Sequence, residues 1–507
     1  MAQHGLNDGA WLCRLCRHIA MGDTMPHAIT PTFYLPAECD WTQTTSAFGA
    51  TRLPIVSPTP NQLGALAAQL AAAADGLRQI PIAQIVAALD RVAVRWLDPE
   101  LPERRALATV LPSINNYSPA MVQHVVGRMV QDWRAKPLWA RLESQFSNPA
   151  VLDDWQSWNW GLGIGDQGSG IGDRELKSDS RLRSRAWGPR LTVHMCAGNV
   201  PGVAIQSLID ALLVKSPSLL KPATGEPLWA ALWVRMLVAE LPALAPALAV
   251  VWWAGGAAEL EAAVLHHAEA VIANASNETI ADLRRRLPAH VRLLDYGSRI
   301  SFAAVARERI TSVHLPELAR ALAYDLALFE QSGCVSPQMI FIESQDATEI
   351  AALVAALDAA LAELDRTFPH TPTSSTAAAV RRFRDEYEWR MLAGASVSLV
   401  GPADCRWTII SDEQADLAPT PGGRTVVVRP IADVAHIPAL FGEYRSYLQS
   451  VALAANEPRF SAIASQFAAA GISRITTVGA QGWPHPLWHH DGRDPLRALV
   501  RWSDIEK

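Results

Sequence analysis

Hydrophobic and polar positions follow two different periods along the chain. Over residues 61–145 apolar side chains recur at every third or fourth position, as at Leu63, Leu66 and Leu70. This spacing aligns them on one face of a helix, so a helical layer is predicted. Residues 1–60 contain repeated prolines and little periodicity, and we expect them to be irregular.

From residue 191 onward, short apolar runs alternate with helical patterns. The runs predicted as strands are 191–195, 218–221, 249–253, 270–274 and 291–296. This alternation predicts an α/β fold with a parallel sheet covered by helices on both faces. After Ser298 a second α/β unit is predicted, with strands at 301–306, 338–343, 424–430, 451–455 and 474–478.

The composition is that of an ordinary globular protein. Of 507 residues, 50% are hydrophobic and 19% are charged, whereas disordered chains have far fewer apolar residues. With 44 basic and 50 acidic side chains the net charge is −6, which argues against general nucleic-acid binding. Six cysteines in a chain of this length do not form a disulfide framework, so we expect a cytoplasmic location.

Residues 241–258 carry no charge and could be mistaken for a membrane span. Two prolines and the pair Gly255-Gly256 interrupt this stretch, so we expect a helix end, a buried strand and a turn instead. Residues 1–24 lack a continuous apolar core, and no secretory signal is expected. The sequence therefore predicts no membrane span.

Cys334 is the first candidate for chemistry. It lies between the end of a helical pattern and the start of a strand, in the segment FEQSGCVSPQ (329–338). Gly333 allows a sharp turn and leaves room beside the sulfur, so the thiol could meet a substrate in a cleft. The alternative interpretation is a small buried apolar side chain, which is common for a single cysteine.

Three further candidate segments follow predicted strands directly, where the ligand-binding residues of parallel sheets collect. Asn199, after the first strand, offers a neutral amide that could stabilise an oxyanion. Lys221 ends the second strand, and Thr224 could cap the next helix. Ser276 fits the N-cap of a helix whose free N–H groups could bind a phosphate. A turn, a solvated strand end and a plain helix cap are the structural alternatives.

Several weaker signals carry no functional prediction. Residues 163–168 spell GxGxxG, but no apolar strand precedes them, so a loop is expected rather than a dinucleotide fingerprint. Cys13 and Cys16 lack a second ligand pair, and the histidines at 485–490 are expected to line a loop, so no metal site is predicted. The arginines at 181–190 are expected on a solvated hairpin face, and a contact to CoA phosphates is the alternative.

The order of the motifs resembles that of one enzyme family. The chain contains, in sequence, CAGNVPG (196–202), KPATGEP (221–227), WAGG (253–256), NASNET (274–279), LDYGSRISF (294–302) and the cysteine segment. This order resembles the acyl-CoA reductases of the fatty-acid reductase type, which supply long-chain aldehyde to bacterial luciferase and belong to the aldehyde dehydrogenase superfamily. The resemblance extends from about Leu77 to the end of the chain and includes the tail WHHDG (488–492).

The resemblance implies roles for individual residues. Cys334 matches the nucleophile that carries the acyl thioester, and Asn199 matches the amide of the oxyanion hole. Lys221 matches the lysine that binds the adenosine ribose, and Ser276 matches the serine beside the pyrophosphate. The further cofactor-binding residues that it implies are Pro222, Gly255, Gly256 and Gly297.

Thr224 bears on the choice of cofactor. It falls where NAD-preferring aldehyde dehydrogenases often have a glutamate, whose carboxylate would repel a ribose 2′-phosphate. Thr224 removes that repulsion, and the nearby Lys221 would attract the phosphate. The resemblance therefore implies NADPH as the cofactor.

Asp295 departs from the pattern of the superfamily. It falls where hydrolytic aldehyde dehydrogenases keep the glutamate base that activates water against the acyl-enzyme. Aspartate is one methylene shorter, and a reductase needs this water step suppressed, so the difference agrees with a reductase. The alternative role for Asp295 is that of a structural hydrogen-bond acceptor.

The resemblance implies an aldehyde dehydrogenase-like α/β fold and an NADPH-dependent reduction of a long-chain acyl-CoA to the aldehyde and CoA. A hydrolytic aldehyde dehydrogenase and a non-catalytic acyl-binding subunit are the alternatives. An acyl-protein synthetase and further copies of the same chain are the implied partners. The predicted parts are an irregular N-terminal segment (1–60), a helical layer with the dinucleotide-binding domain (61–297), a catalytic domain (298–465) and a C-terminal segment (466–507).

Overall fold

The computed structural model describes residues 32–36, 41–157 and 182–506. Near the start, β1 (Gln43–Phe48) and β2 (Thr51–Val56) form an antiparallel hairpin. The expectation that residues 1–60 are irregular is therefore wrong for this segment. Leu53 and Ile55 are buried on one face of β2, a two-residue period that the neighbouring prolines obscured.

Seven α-helices form the predicted helical layer. They are α1 (Pro60–Ala72), α2 (Ala74–Arg78), α3 (Ile82–Leu97), α4 (Pro102–Val110), α5 (Pro112–Asn115), α6 (Pro119–Asp132) and α7 (Ala135–Gln145). α1 begins with a capping box, in which the side chains of Thr59 and Gln62 each accept from the other residue's backbone N–H. Leu63, Leu66 and Leu70 are buried on one face of α1, which confirms the predicted helical period.

A five-stranded parallel sheet follows the short strands β3 (Gln156–Ser157) and β4 (Leu182–Trp187). It consists of β5 (Thr192–Met195), β6 (Ser218–Lys221), β7 (Leu248–Val250), β8 (Ala270–Asn274) and β9 (Arg292–Tyr296). The connecting helices are α8 (Val203–Leu213), α9 (Trp229–Glu240), α10 (Ala258–Leu265) and α11 (Asn277–Arg286). The strand order is β7-β6-β5-β8-β9, so it reverses between β5 and β8. Ligands bind beside the carboxyl ends of strands at such a switch point.

A seven-stranded sheet forms the second α/β unit. Its strands are β10 (Ile300–Val305), β11 (Pro337–Ile342), β12 (Val397–Val400), β13 (Thr408–Asp412), β14 (Thr425–Pro430), β15 (Leu448–Ala454) and β16 (Arg474–Thr477). Its helices are α12 (Leu315–Ala327), α13 (Ala347–Thr367), α14 (Ser374–Leu392) and α15 (Arg459–Ala469). The strand order is β12-β13-β14-β11-β10-β15-β16, and only the β12–β13 pair is antiparallel among these strands. The sequence patterns do not predict β12 and β13, and β16 extends the sheet past residue 465.

The end of the chain returns to the segment that precedes the first sheet. α16 (Pro495–Leu499) leads into β17 (Arg501–Glu506), which pairs antiparallel with β4. β4 also pairs with β3, which gives a three-stranded sheet. Residues 241–258 form a 3₁₀ turn, β7 and a loop, and the helices within the described residues are all too short or too polar to cross a membrane.

Candidate active site

Cys334 follows a strained loop that connects α12 to β11. Three consecutive residues in this loop, Phe329, Glu330 and Gln331, have left-handed backbones with φ of 56°, 50° and 60°. Residues other than glycine rarely adopt this conformation, and each one costs on the order of 1–3 kcal/mol. Contacts with the surrounding structure must therefore hold the loop in place.

Buried hydrogen bonds fix this loop against β14. Arg424 is 0% exposed and donates to Glu330 through Nε at 2.8 Å and through Nη2 at 3.1 Å. The Gln331 amide donates to the carbonyl oxygen of Thr425 at 2.6 Å, and the Thr425 N–H donates back to Gln331 Oε1 at 2.7 Å. These charge-assisted and paired bonds determine where the loop presents Cys334.

Cys334 contributes to the wall of a largely apolar cavity of about 230 Å³. The helical layer, the first sheet and the segment around Trp483 supply most of the other walls, among them Met129, Trp133 and Leu294. The Cys334 side chain is half-buried, and burial raises the pKa of its thiol to about 11. The free thiol is therefore protonated at neutral pH.

Asn199 lies beside the loop that carries Cys334. Its Nδ2 donates to the carbonyl oxygen of Ser332 at 2.5 Å. The buried Tyr117 hydroxyl contacts the carbonyl oxygens of both Asn199 and Phe329, so it connects the same two loops. An amide nitrogen carries two hydrogens, and the second one can serve an oxyanion.

Lys221 and Thr224 lie at the carboxyl edge of the first sheet. Lys221 is half-buried, and burial lowers its pKa, whereas Thr224 is exposed and Pro222 is buried between them. Glu226, two residues further on, turns inward and caps α9, where its Oε1 accepts from the Trp229 N–H at 2.8 Å. The carboxylate closest to Thr224 in sequence is therefore directed away from the exposed edge.

The segments after β8 and β9 meet at the same edge. Ser276 is the N-cap of α11, and its Oγ accepts from the Thr279 N–H at 3.3 Å. A Cβ atom at Gly297 would collide with the side-chain oxygen of Asn277, which accepts from the Ser298 N–H at 3.0 Å. Only glycine permits this close approach, so Gly297 supports the geometry around the start of α11.

These residues fit a dinucleotide cofactor. A Cβ atom at Gly255 or Gly256 would meet no atom within 4 Å, so their turn leaves open space at the carboxyl edge of the sheet. The N-terminus of α11 at Ser276 offers backbone N–H groups to a phosphate. Both features lie at the carboxyl edge of the sheet, and Ser276 follows β8, one of the two strands between which the strand order reverses. Such cofactors bind beside this switch point.

Asp295 does not face the cavity, and this corrects its expected catalytic placement. Its neighbours on β9, Leu294 and Tyr296, line the cavity, and alternate side chains of a strand point to opposite faces. The carboxylate accepts from Arg284 and, at 3.0 Å, from Arg493 Nη1. Burial alone would raise the pKa of Asp295, but the two arginines hold it below its usual range. Asp295 is thus engaged as a structural acceptor.

Three residues near Cys334 were not expected from the sequence. Arg299 donates to Asp491 Oδ2 through Nε at 3.0 Å and through Nη2 at 2.7 Å. Gln449 Nε2 donates to Asp491 Oδ1 at 2.5 Å. Arg299 belongs to the motif LDYGSRISF and Asp491 to the motif WHHDG, so these two motifs could have indicated both residues. Nothing in the local sequence pattern indicates Gln449.

The histidines of the tail have separate surroundings. The His490 ring stacks on Tyr296 with centroids 4.1 Å apart, and burial lowers its pKa to about 4, so it is neutral. His489 pairs with Asp494 at 3.1 Å. Within 32–36, 41–157 and 182–506, His, Cys, Asp and Glu side chains form no group of three or more that could hold a metal ion.

Some candidate segments lie outside the described residues. They are the GxGxxG motif at 163–168, the cysteine pair at 13–16 and Arg181. Of the other arginines before β5, Arg185 stacks over the ring of Trp187 at 4.2 Å. Of the arginines at 181–190, at least Arg185 therefore packs within the protein.

The structure combines a parallel five-stranded sheet with a mostly parallel seven-stranded sheet, and the Cys334 loop faces the switch point of the first sheet. This is the fold of the aldehyde dehydrogenases, and solved structures of such enzymes match it. Aldehyde dehydrogenase 21 from Physcomitrella patens matches with a TM-score of 0.69 and 12% identity, over 94% of this chain and 98% of that one. The NADP-dependent glyceraldehyde-3-phosphate dehydrogenase from Bacillus halodurans matches with a TM-score of 0.70 and 11% identity, over 94% and 98%. At such low identity the likeness shows the fold alone.

Residues 77–163 and 169–502 match the acyl-CoA reductase (LuxC) family, and the chain belongs to that family. A long-chain acyl-protein thioester reductase from Aliivibrio fischeri is 24% identical over 435 residues, which cover 84% of this chain and 82% of the relative. The protein of the same name from Vibrio harveyi is 22% identical over 446 residues, covering 85% and 84%. The predicted family and fold class are therefore confirmed.

Proposed function

We propose that the protein reduces a long-chain acyl thioester to the aldehyde, with NADPH as reductant and a thioester on Cys334 as intermediate. The observation that carries the proposal is the position of Cys334, which lines an apolar cavity on a loop whose Ser332 carbonyl oxygen accepts from the Asn199 amide. The names of the curated relatives support the reaction class, since they are called long-chain acyl-protein thioester reductases.

In the first half of the reaction the Cys334 thiolate attacks the carbonyl carbon of the acyl thioester. A carbon–sulfur bond forms, and the carbonyl oxygen becomes an oxyanion that Asn199 Nδ2 and the Cys334 N–H stabilise. When the oxyanion collapses, the bond to the donor sulfur breaks, and the donor leaves as a thiolate. Exchange between similar thiols is nearly balanced, so these residues contribute positioning and charge stabilisation.

In the second half the acyl group leaves Cys334 as an aldehyde. NADPH, when bound, supplies the hydride that reduces the acyl carbon. Asn199 holds the same oxygen while it carries negative charge, and Cys334 then departs as the thiolate. The apolar cavity walls disfavour water, and Asp295 is paired with two arginines instead of activating water, so hydrolysis of the acyl-enzyme is suppressed.

The preference for NADPH rests on the charges at the edge of the first sheet. Lys221 supplies a cation there, and the exposed Thr224 supplies no carboxylate. Glu226 caps α9 and points inward, so it does not repel a 2′-phosphate at short range. The cofactor with the extra phosphate is therefore favoured.

The acyl donor is a thiol ester of CoA or of a protein. The family is described as acyl-CoA reductase, and the relatives are named for acyl-protein substrates. Both donors present the same carbonyl group to Cys334, and an acyl-protein donor makes a synthetase subunit a partner. We place the reaction in the cytoplasm and expect a homo-oligomer, as the resemblance to aldehyde dehydrogenases implies.

The experiment combines purified protein, a long-chain acyl-CoA and NADPH, and it follows NADPH loss, free CoA and aldehyde together. Equal amounts of all three are expected, and Cys334→Ala should abolish them and prevent labelling by radioactive acyl-CoA. Cys405→Ala is the matched control, because Cys405 is buried away from the cavity lining. Aldehyde formation by Cys334→Ala would contradict the proposal, and CoA release without NADPH loss would indicate an acyl-holding subunit.

A further inference from the structure

Asp491 joins two hydrogen-bond donors near the Cys334 loop. Its Oδ2 accepts from Arg299 Nε at 3.0 Å and from Nη2 at 2.7 Å, and its Oδ1 accepts from Gln449 Nε2 at 2.5 Å. The Asp491 side chain is 6% exposed, and its backbone is left-handed with a φ of 52°. A buried carboxylate that uses both oxygens in this way determines the positions of both donors.

Backbone contacts also connect the segments that carry Arg299 and Gln449 to Cys334. The Ser301 hydroxyl donates to the carbonyl oxygen of Cys334 at 2.8 Å and accepts from the Ser450 N–H at 3.3 Å. Ser301 lies two residues after Arg299, and Ser450 directly follows Gln449. The starts of β10 and β15 are therefore both anchored at the residue that carries the thiol.

The groups around the Cys334 sulfur shift the pKa of its thiol in opposite directions. The pKa of the Cys334 thiol is about 11, because burial and the Asp491 charge raise it. A hydrogen bond from the Gln449 side chain and the positive charge of Arg299 lower it. These two donors therefore favour the thiolate, as does a hydrogen bond from the backbone at Cys334.

Further titratable groups face this region from other elements. Arg474, at the start of β16, has a pKa lowered to about 10 by burial and donates to the carbonyl oxygen of Gln481 at 2.5 Å. Burial keeps His490 neutral and raises the pKa of Tyr296 above its usual value. These three groups keep their charge between pH 6 and pH 9. Burial raises the pKa of Asp325, which accepts from the Gln481 N–H at 2.9 Å, to about 7, and its charge acts on Arg474.

We infer that Gln449 and Arg299 stabilise the Cys334 thiolate, and that Asp491 is the positioning residue that holds both donors in place. The inference rests on the proposed function, since it concerns the same nucleophile. It assigns to the end of the chain a part in activating a cysteine that lies far earlier in the sequence. Asp295 accepts from Arg284 and Arg493 instead of from Arg299 or Gln449, although Arg493 also lies 3.8 Å from Asp491.

The test measures how fast iodoacetamide alkylates Cys334 between pH 6 and pH 9, with no acyl donor or cofactor present. Mass spectrometry of the Cys334 peptide separates this reaction from alkylation of other cysteines. Arg299→Gln and Gln449→Leu should each slow alkylation at pH 8 by about threefold to tenfold, because losing a donor raises the thiol pKa by about half to one unit. Arg299→Lys keeps the charge and should restore part of the rate.

Arg284→Gln is the matched control, because Arg284 pairs with Asp295 and not with Asp491. It should leave the alkylation rate unchanged. If Gln449→Leu fails to fold, as judged by circular dichroism, Gln449→Asn replaces it, because the shorter amide cannot bridge Asp491 and the sulfur. Unchanged rates in Arg299→Gln together with either Gln449 variant would overturn the inference.

The role of Asp491 is tested by coupling. Asp491→Asn removes both a negative charge near the thiol and the carboxylate that binds Arg299 and Gln449. These two losses act on the alkylation rate in opposite directions, so the effect of this substitution alone does not test the positioning role. In the Asp491→Asn background, Arg299→Gln should slow alkylation by less than about twofold, because the guanidinium is no longer held. Full additivity of the two changes would contradict a positioning role. Since the assay needs neither thioester nor NADPH, its failure is distinguishable from failure of the proposed reaction.

Discussion

The side-chain amide of Asn199 donates to the carbonyl oxygen of Ser332 at 2.5 Å, so the loop after β5 is bonded to the loop that carries Cys334. The bond connects the two α/β units, since Asn199 follows the first sheet and Ser332 precedes β11. Asn199 can therefore act in two ways, by positioning the cysteine loop and by donating to an oxyanion. The two actions have different experimental consequences.

Asn199→Ala should slow acylation of Cys334 by about 10²–10³-fold, because removing one oxyanion donor has effects of this size. Single-turnover labelling with radioactive acyl-CoA measures this rate. Alkylation of Cys334 by iodoacetamide forms no oxyanion and should change far less. Equal losses in the two rates would assign Asn199 to loop positioning alone.

Thr224→Glu should raise the KM for NADPH by about tenfold and change the KM for NADH little. A carboxylate at this exposed position would repel the 2′-phosphate, and about 1.4 kcal/mol of repulsion corresponds to that factor. Initial-rate kinetics with both cofactors provide the measurement. Thr109→Glu, at an exposed position of α4, is the control for added charge. An equal loss with both cofactors would remove the reason to prefer NADPH.

Glu226→Gln should reduce the pH dependence of stability. Burial raises the pKa of Glu226 from 4.5 to about 7, so the folded protein favours the protonated carboxyl. Its contribution to stability is therefore complete below pH 4.5 and is lost as the pH rises through about 7. A shift of this size corresponds to about 3 kcal/mol.

Glutamine keeps the oxygen that caps α9 and carries no charge. Urea unfolding at pH 5 and pH 8 should therefore show a smaller difference in the free energy of unfolding for Glu226→Gln than for the unmodified protein. The variant should gain stability mainly at pH 8. An identical pH dependence in both proteins would show that Glu226 ionises in the folded state without cost.

Arg424→Met should lower the free energy of unfolding by about 3–5 kcal/mol, since it leaves the buried carboxylate of Glu330 without its arginine partner. The strained residues before Cys334 would then lose their main support, and turnover should fall as well. Arg381→Met is the matched control, because Arg381 pairs with Asp385 on the surface and should change stability by at most about 1 kcal/mol. Equal effects of the two substitutions would contradict the structural role of Arg424.

Local patterns were sufficient to predict much of the fold and to mark several segments of the candidate site. The three-to-four-residue period of α1 and the apolar runs of the first sheet are short-range signals, and Asn199, Lys221 and Ser276 stand at or just after the ends of such runs. The candidate loop at Cys334 was recognisable for the same reason. β12 and β13 were missed, because short strands in an otherwise polar stretch have too few apolar positions for a clear period.

The remaining features depend on contacts between distant parts of the chain. The resemblance predicts that Asp295 occupies the place of a catalytic glutamate, but the alternation of side chains along β9 turns it toward Arg284 and Arg493. Gln449 and Asp491 approach Cys334 only through the packing of the second sheet and the tail. The spacing of residues along the sequence does not predict such a contact between distant segments.

Asp491 lies more than 150 residues after Cys334 in the sequence, so the two residues are synthesised at different times. During synthesis Cys334 emerges long before Asp491 and before β17, the strand that pairs with β4. An unfinished chain therefore has its cysteine without the carboxylate that binds Arg299 and Gln449. Cleavage between Gln449 and Asp491 would likewise separate Cys334 from this carboxylate while leaving the cysteine itself intact. From the role inferred for Asp491, we expect loss of this segment to inactivate the protein at a distance from its reactive atom.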